Sequence, residues 1–175
     1  MLRTPTDPVR SPAYRMGALV LFAATAVILV ALAFEHVGGY LPCPLCLQQR
    51  YAYYLAIPLL FLALVLVGAE RERMAALVFA AVGIAFLGNA GLGVYQAGAE
   101  WGYWAGPASC AATNAPLSTS AGGLLKDLAT TRVARCDVAL WRFLGLSFAG
   151  WNVVACIMLG AGAFSAALSA LRGRG

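Results

Sequence analysis

The stretch LPCPLCLQQR, from Leu41 to Arg50, holds two cysteines at i and i+3, with Pro42 and Pro44 on either side of the first and Arg50 four residues beyond the second. Three more cysteines follow at 110, 136 and 156. A Cys-x-x-Cys pair either exchanges disulfides or binds zinc. A Cys43–Cys46 bridge would close a very small ring, worth only ~2 kcal/mol to the chain. Small, strained, accessible bridges are the labile and catalytic ones. A Cys110–Cys136 bridge would close a loop of about 26 residues and contribute ~3.5 kcal/mol, enough for a structural role. Zinc needs two further ligands. Cys110, Cys136 and the single His36 are available, but their separation is no usual ligand spacing and no second Cys-x-x-Cys occurs. The expectation is a redox pair and no metal.

Local chemistry supports that role. Pro42 holds the chain before Cys43 extended, and Pro44 does the same to Cys43 itself. Proline is favoured at the first position of a helix. Cys43 is therefore expected at the N-cap, with Cys46 in the first turn, where free N–H groups and the helix dipole favour negative charge. A thiolate so placed is a nucleophile and a good leaving group. Arg50 lies four residues past Cys46 and seven past Cys43, so all three share one helix face. Its cation can favour a Cys46 thiolate or hold a partially negative ligand; it can equally snorkel to lipid headgroups. Gln49 can donate hydrogen bonds nearby.

The elements that must position these residues are set by composition. Of 175 residues, 62% are hydrophobic and 11% charged, against about 25% charged in soluble domains. The net charge of +5 is spread over short segments between apolar runs, with no basic stripe or motif that would suit nucleic acid. Four apolar runs, at about 16–34, 49–67, 74–96 and 148–171, are each long enough to cross ~30 Å of hydrocarbon. The fold expected is an all-α membrane protein, one four-transmembrane-helix bundle over residues 1–175. Cleavage after Ala33 as a signal peptide is the less favoured reading, because the first run is long for a signal core. Arg3, Arg10 and Arg15, then Arg71 and Arg73, then Arg172 and Arg174 flank the runs. The positive-inside rule puts these flanks and both termini in the cytoplasm. A short loop at 35–48 and a long one at 97–147 then face outward. Four cysteines fall in those loops, as in an oxidising compartment. Cys156 lies in the fourth run and reads as a small buried apolar side chain.

Taken together, the pattern resembles the disulfide bond formation protein B (DsbB) family of bacterial inner membranes. The resemblance is carried by PCPLCLQQR entering the second run, FEHVGGYLPC before it, YQAGAEWGYWAGPASC at Cys110, and CDVALWRFLGLSFAGWN from Cys136 into the fourth run. It covers about residues 16–170 and implies a four-span thiol:quinone oxidoreductase with its redox loops in the periplasm. Such a protein reoxidises a soluble thioredoxin-like oxidase of DsbA type and passes the electrons to ubiquinone or menaquinone. The resemblance implies disulfides Cys43–Cys46 and Cys110–Cys136, a mixed disulfide with the partner at Cys110, and a transient Cys43–Cys136 link. It implies a quinone beside Cys46 and Arg50, with Gln49 and His36 as further candidate neighbours. Better-known members carry a histidine near the end of the third span; here the stretch VYQAGAEWGYW has none, and the nearby Glu100 is not equivalent.

Two rivals make different demands. The vitamin K epoxide reductase class places its shuttle cysteines before the Cys-x-x-Cys, whereas here they follow. A four-span scaffold stapled by permanent bridges leaves Arg50 without a role. Within the long loop, Leu124, Leu125, Leu128 and Val133 stand among charges at roughly helical spacing, as expected of a short helix on the membrane surface.

Overall fold

The computed structural model describes residues 11–106, 136, 138–139 and 141–173. Cys110 and the amphipathic stretch around Leu124–Val133 lie outside the described residues. Among the described residues four helices form a bundle: α1 (Pro12–His36), α2 (Pro44–Gly68), α3 (Glu72–Glu100) and α4 (Phe148–Arg172). All four are long and apolar enough to cross a membrane. A small antiparallel hairpin, β1 (Arg142–Phe143) with β2 (Leu146–Ser147), leads into α4. Its turn residues Leu144 and Gly145 both have positive φ, 50° and 82°, the geometry that matches strand twist in a two-residue hairpin.

The helix starts are locally encoded. Ser11 Oγ accepts from the Tyr14 N–H at 3.1 Å, with Pro12 opening α1. Ser147 Oγ accepts from the Gly150 N–H at 3.3 Å, so the residue that closes the hairpin also caps α4. Such caps satisfy N–H groups that a helix leaves free. The helices run past the apolar runs that predict them. The largest difference with consequence is at the end of α3, which continues one turn beyond Gln96. Nothing in Ala97–Gly98–Ala99 breaks a helix. It ends only at Gly102 (φ 75°), where the Tyr103 N–H reaches the Gly98 carbonyl at 3.0 Å and the Gly102 N–H that of Ala99 at 3.1 Å. A residue with positive φ permits this closure, and glycine adopts it without strain. The added turn carries Glu100 into the site described below.

The helices stand at the corners of a square, α1 and α3 each beside both α2 and α4. Phe79, Phe86, Leu60 and Val82 are wholly buried between them. Large apolar residues such as Phe22, Leu55, Phe61, Ile84 and Met158 point outward, as a lipid-facing surface requires. Lipid is as apolar as the core, so helix association depends on close packing rather than on hydrophobic partition. At Gly93 the approach of α4 is close: a Cβ there would lie 2.7 Å from Val153 Cγ2 and 3.2 Å from the Ala149 carbonyl oxygen. Gly93→Ala is expected to destabilise the bundle by about 1–3 kcal/mol through overpacking. Thermal unfolding in detergent checks this, and an unchanged midpoint would mean that α3 and α4 separate without cost.

Candidate active site

Cys43 occupies the N-cap of α2 with φ −76° and ψ 164°, and its Sγ accepts from the Cys46 N–H at 3.3 Å. Pro44 opens the helix, so the two prolines do locally what their restricted φ dictates. The helix start directs the Cys46 N–H to the Cys43 sulfur. Cys46 Sγ lies 2.8 Å from Cys43 Sγ, and both cysteines are free thiols. The two sulfurs stand close enough to exchange a bond between them. Its hydrogen bond with Cys46, then burial, raise the pKa of the Cys43 thiol well above the ordinary thiol range.

Cys136 is the third sulfur at this end of the bundle. It is disulfide-bonded and buried, and it packs in a small cluster with Cys43, Leu45 and Cys46. Residues 90 or more apart in the chain are thereby brought to one point.

Around the sulfurs the structure adds residues that the sequence reading did not single out. Gln96 of α3, 3% exposed, donates from Nε2 to Cys46 Sγ at 3.2 Å and to Cys43 Sγ at 3.5 Å. The same nitrogen reaches Glu100 Oε1 at 3.2 Å. Gln49, also buried, donates to Gln96 Oε1 at 2.8 Å and accepts from Asn152 Nδ2 at 2.7 Å. Arg50 forms an ion pair with Glu35 from the last turn of α1. Among the described residues no hydrogen bond joins Arg50 to either sulfur. His36 is exposed at the end of α1 and does not line the cavity. Cys156 is fully buried in α4 but is not surrounded by apolar groups alone: Asn89 Nδ2 donates to its Sγ at 3.2 Å and the Tyr53 hydroxyl lies 3.4 Å away. A signal for Gln96 was present in the sequence. Asn89 and Gln96 stand seven apart in an otherwise apolar run, and polar residues inside a span face the bundle interior or a cavity.

Cys43, Cys46, Gln49, Arg50 and Gln96 line a cavity of about 560 Å³ between α1, α2, α4 and the hairpin, with the end of α3 at one wall. Its walls are mostly apolar, among them Val27, Phe34, Trp141 and Phe148. Polar groups converge at one side: Cys43, Cys46, Gln49, Arg50, Gln96 and Glu100. Glu100 Oε2 is buried and has no hydrogen-bond partner among the described residues. A mostly apolar cavity of this size with few fixed polar groups suits a small hydrophobic ligand with polar atoms at one edge. Among the described residues no three His, Cys, Asp or Glu side chains gather as metal ligands do.

Comparison with known proteins agrees with this chemistry. The family model described as "Disulfide bond formation protein DsbB" matches residues 14–166. A protein of Methylococcus capsulatus named "Disulfide bond formation protein B" is 37% identical over 150 residues, covering 83% of this chain and 86% of the relative. Proteins of the same name from Aromatoleum aromaticum (35% identical, 81% and 84% covered) and Verminephrobacter eiseniae (30% identical, 83% and 81% covered) are similar over the same extent. No solved structure matches the chain significantly.

Proposed function

Because the chain belongs to the DsbB family of membrane disulfide bond formation proteins, we propose that it reoxidises a soluble thioredoxin-like oxidase of DsbA type and delivers the electrons to a membrane quinone. The observation that carries this reading is the packing of bonded Cys136 against the free Cys43 and Cys46 at the wall of an apolar cavity.

The steps follow from thiolate attack through mixed disulfides. A thiolate of the partner attacks a Cys110–Cys136 bridge at Cys110 and expels the Cys136 thiolate. The partner's second thiol then closes its own disulfide, leaving Cys110 and Cys136 reduced. Cys136 attacks Cys43 of the Cys43–Cys46 bridge and expels the Cys46 thiolate. Cys110 resolves the Cys43–Cys136 link, which restores the loop bridge and leaves Cys43 and Cys46 as a dithiol.

The cavity residues fit a quinone. Arg50 is a donor suited to a carbonyl oxygen, and the Glu100 oxygen that has no partner among the described residues can accept from a hydroxyl. Ubiquinone and menaquinone share these groups. A bound quinone supplies acceptance of the two electrons and two protons released when the dithiol closes to a disulfide. The chain's own part is to hold the sulfurs in contact, to keep water out with Phe34, Trp141 and Phe148, and to present donors where negative charge develops. Gln96 and Glu100 stand in the stretch where the family's histidine is absent.

The topology that serves this function has both termini in the cytoplasm, with the cysteine end of the bundle at the periplasmic face of a bacterial inner membrane. The test is anaerobic mixing of the purified protein with a reduced DsbA-type partner and a soluble quinone, following quinone absorbance. One quinone consumed per partner dithiol is expected. No quinone consumed, with the Cys136 bridge still unreduced by the partner, would leave a stapled scaffold as the better reading.

A further inference from the structure

Four polar side chains from α2, α3 and α4 are joined in a single direction. The Tyr53 hydroxyl donates to Asn152 Oδ1 at 2.7 Å. Asn152 Nδ2 donates to Gln49 Oε1 at 2.7 Å, and Gln49 Nε2 donates to Gln96 Oε1 at 2.8 Å. Gln96 Nε2 then faces Cys46 Sγ and Cys43 Sγ at 3.2 and 3.5 Å. The two ends of a carboxamide have nearly the same shape, so only its partners decide which end faces which way. Here both ends of the chain agree. The Cys156 thiol joins Tyr53 as a donor to Asn152 Oδ1, at 3.6 Å. At the other end Glu100 Oε1 accepts from Gln96 Nε2 at 3.2 Å.

We propose that Tyr53, Asn152 and Gln49 are positioning residues for the Cys43/Cys46 pair: their head-to-tail hydrogen bonds hold the Gln96 amide with its N–H side on the two sulfurs. The Cys46 thiol also reaches Gln96 Oε1, at 3.7 Å, so the amide stands with its N–H side nearer the sulfurs, and an amide turned the other way would bring the carbonyl oxygen nearest. A fixed donor stabilises sulfur carrying negative charge, as nucleophile or leaving group, and does so more strongly in a dry site than in water. The chain also explains why Tyr53 and Asn152, neither of which contacts a sulfur of the pair, are spent as polar groups inside an apolar bundle. Within it, Gln49 has its amide oxygen and one of its two N–H donors engaged, and Asn152 has both ends partnered. Buried networks of this kind specify one arrangement when each member is satisfied.

The inference rests on the reading of Cys43 and Cys46 as a redox pair, but its test needs neither partner nor quinone. In the full-length protein in detergent, two quantities are measured by mass spectrometry at fixed neutral pH. One is the alkylation rate of Cys46 in the reduced protein; the other is the equilibrium constant of the Cys43–Cys46 bridge with glutathione. Tyr53→Phe and Asn152→Leu keep size and add no charge. Each is expected to slow alkylation about tenfold, since part of a hydrogen bond to a charged sulfur is lost. Each is also expected to shift the equilibrium about tenfold toward the disulfide, or ~30 mV. Thr25→Val, a polar-to-apolar change in α1 whose hydroxyl bonds only the Leu21 carbonyl, is expected to stay within about twofold of the unaltered protein. Tyr53→Phe and Asn152→Leu both within twofold, or Thr25→Val shifting as far as they do, would overturn the proposal. The expected ratios in a protein that reduces no quinone would uphold the relay and count against the thiol:quinone reading alone.

Discussion

Cys46→Ser is expected to lower quinone reduction by a DsbA-type dithiol at least ~10³-fold, because it removes the sulfur that must leave and return at each turnover. A hydroxyl is neither a thiolate at neutral pH nor able to form the bridge. The change is small in shape, and serine can still accept from Gln96, whose Nε2 stands 3.2 Å from the Cys46 sulfur, so the bundle is expected to remain folded. Cys43 is then left without its partner while still packed against Cys136. By exchange, the Cys43 thiolate is expected to attack Cys136 of the intact Cys110–Cys136 bridge and expel the Cys110 thiolate, so that a Cys43–Cys136 cross-link with a free Cys110 accumulates. Non-reducing peptide mapping reads that link directly. Quinone reduction persisting within about tenfold of the unaltered protein would show that electrons leave by another route.

Arg50→Ala is expected to act twice, and the Glu35 ion pair allows the two effects to be separated. Loss of a charged hydrogen-bond donor to the acceptor is worth about 1.5–3 kcal/mol, or roughly 10–100-fold in KM for quinone. The same change strands the Glu35 carboxylate, whose side chain is only 24% exposed. Removing one member of a largely buried pair destabilises because the remaining charge is uncompensated. Arg50→Ala with Glu35→Gln is therefore expected to recover thermal stability but not KM. Glu35→Gln alone releases Arg50 from its carboxylate partner and is expected to lower KM. Steady-state kinetics with a soluble quinone, beside melting curves for the three variants, checks both effects. A KM restored in the double variant would mean that Arg50 serves only to neutralise Glu35.

Several features were legible in the sequence because they depend on neighbours within one helical turn or on partition between water and lipid. Pro42 and Pro44 restrict the backbone directly, which sets Cys43 at the N-cap of α2. The four apolar runs specify four helices because a chain in hydrocarbon must satisfy its backbone internally. The order of the cysteines and the place of Arg50 could be read without a structure. Helix bounds were legible to within about a turn, and the end of α3 was missed because it is set by Gly102, beyond the apolar pattern.

Tertiary structure alone decided what the site contains. The spans are apolar nearly all round, so sequence does not tell which face of each meets lipid and which meets another helix; both surroundings are equally apolar. Glu35 finds Arg50 only because α1 stands beside α2. Gln96 reaches the sulfurs only because α3 packs on α2's other side, which brings in a residue 50 positions from Cys46. Cys156, read from composition as a small apolar filler, became one end of a polar network once α4 brought it to Tyr53 and Asn89. The sequence by itself determined which atoms could carry the chemistry, since reactivity belongs to residue types and local backbone. Which of them meet, and which way each amide faces, was decided by the packing of helices whose apolar surfaces look alike in one dimension.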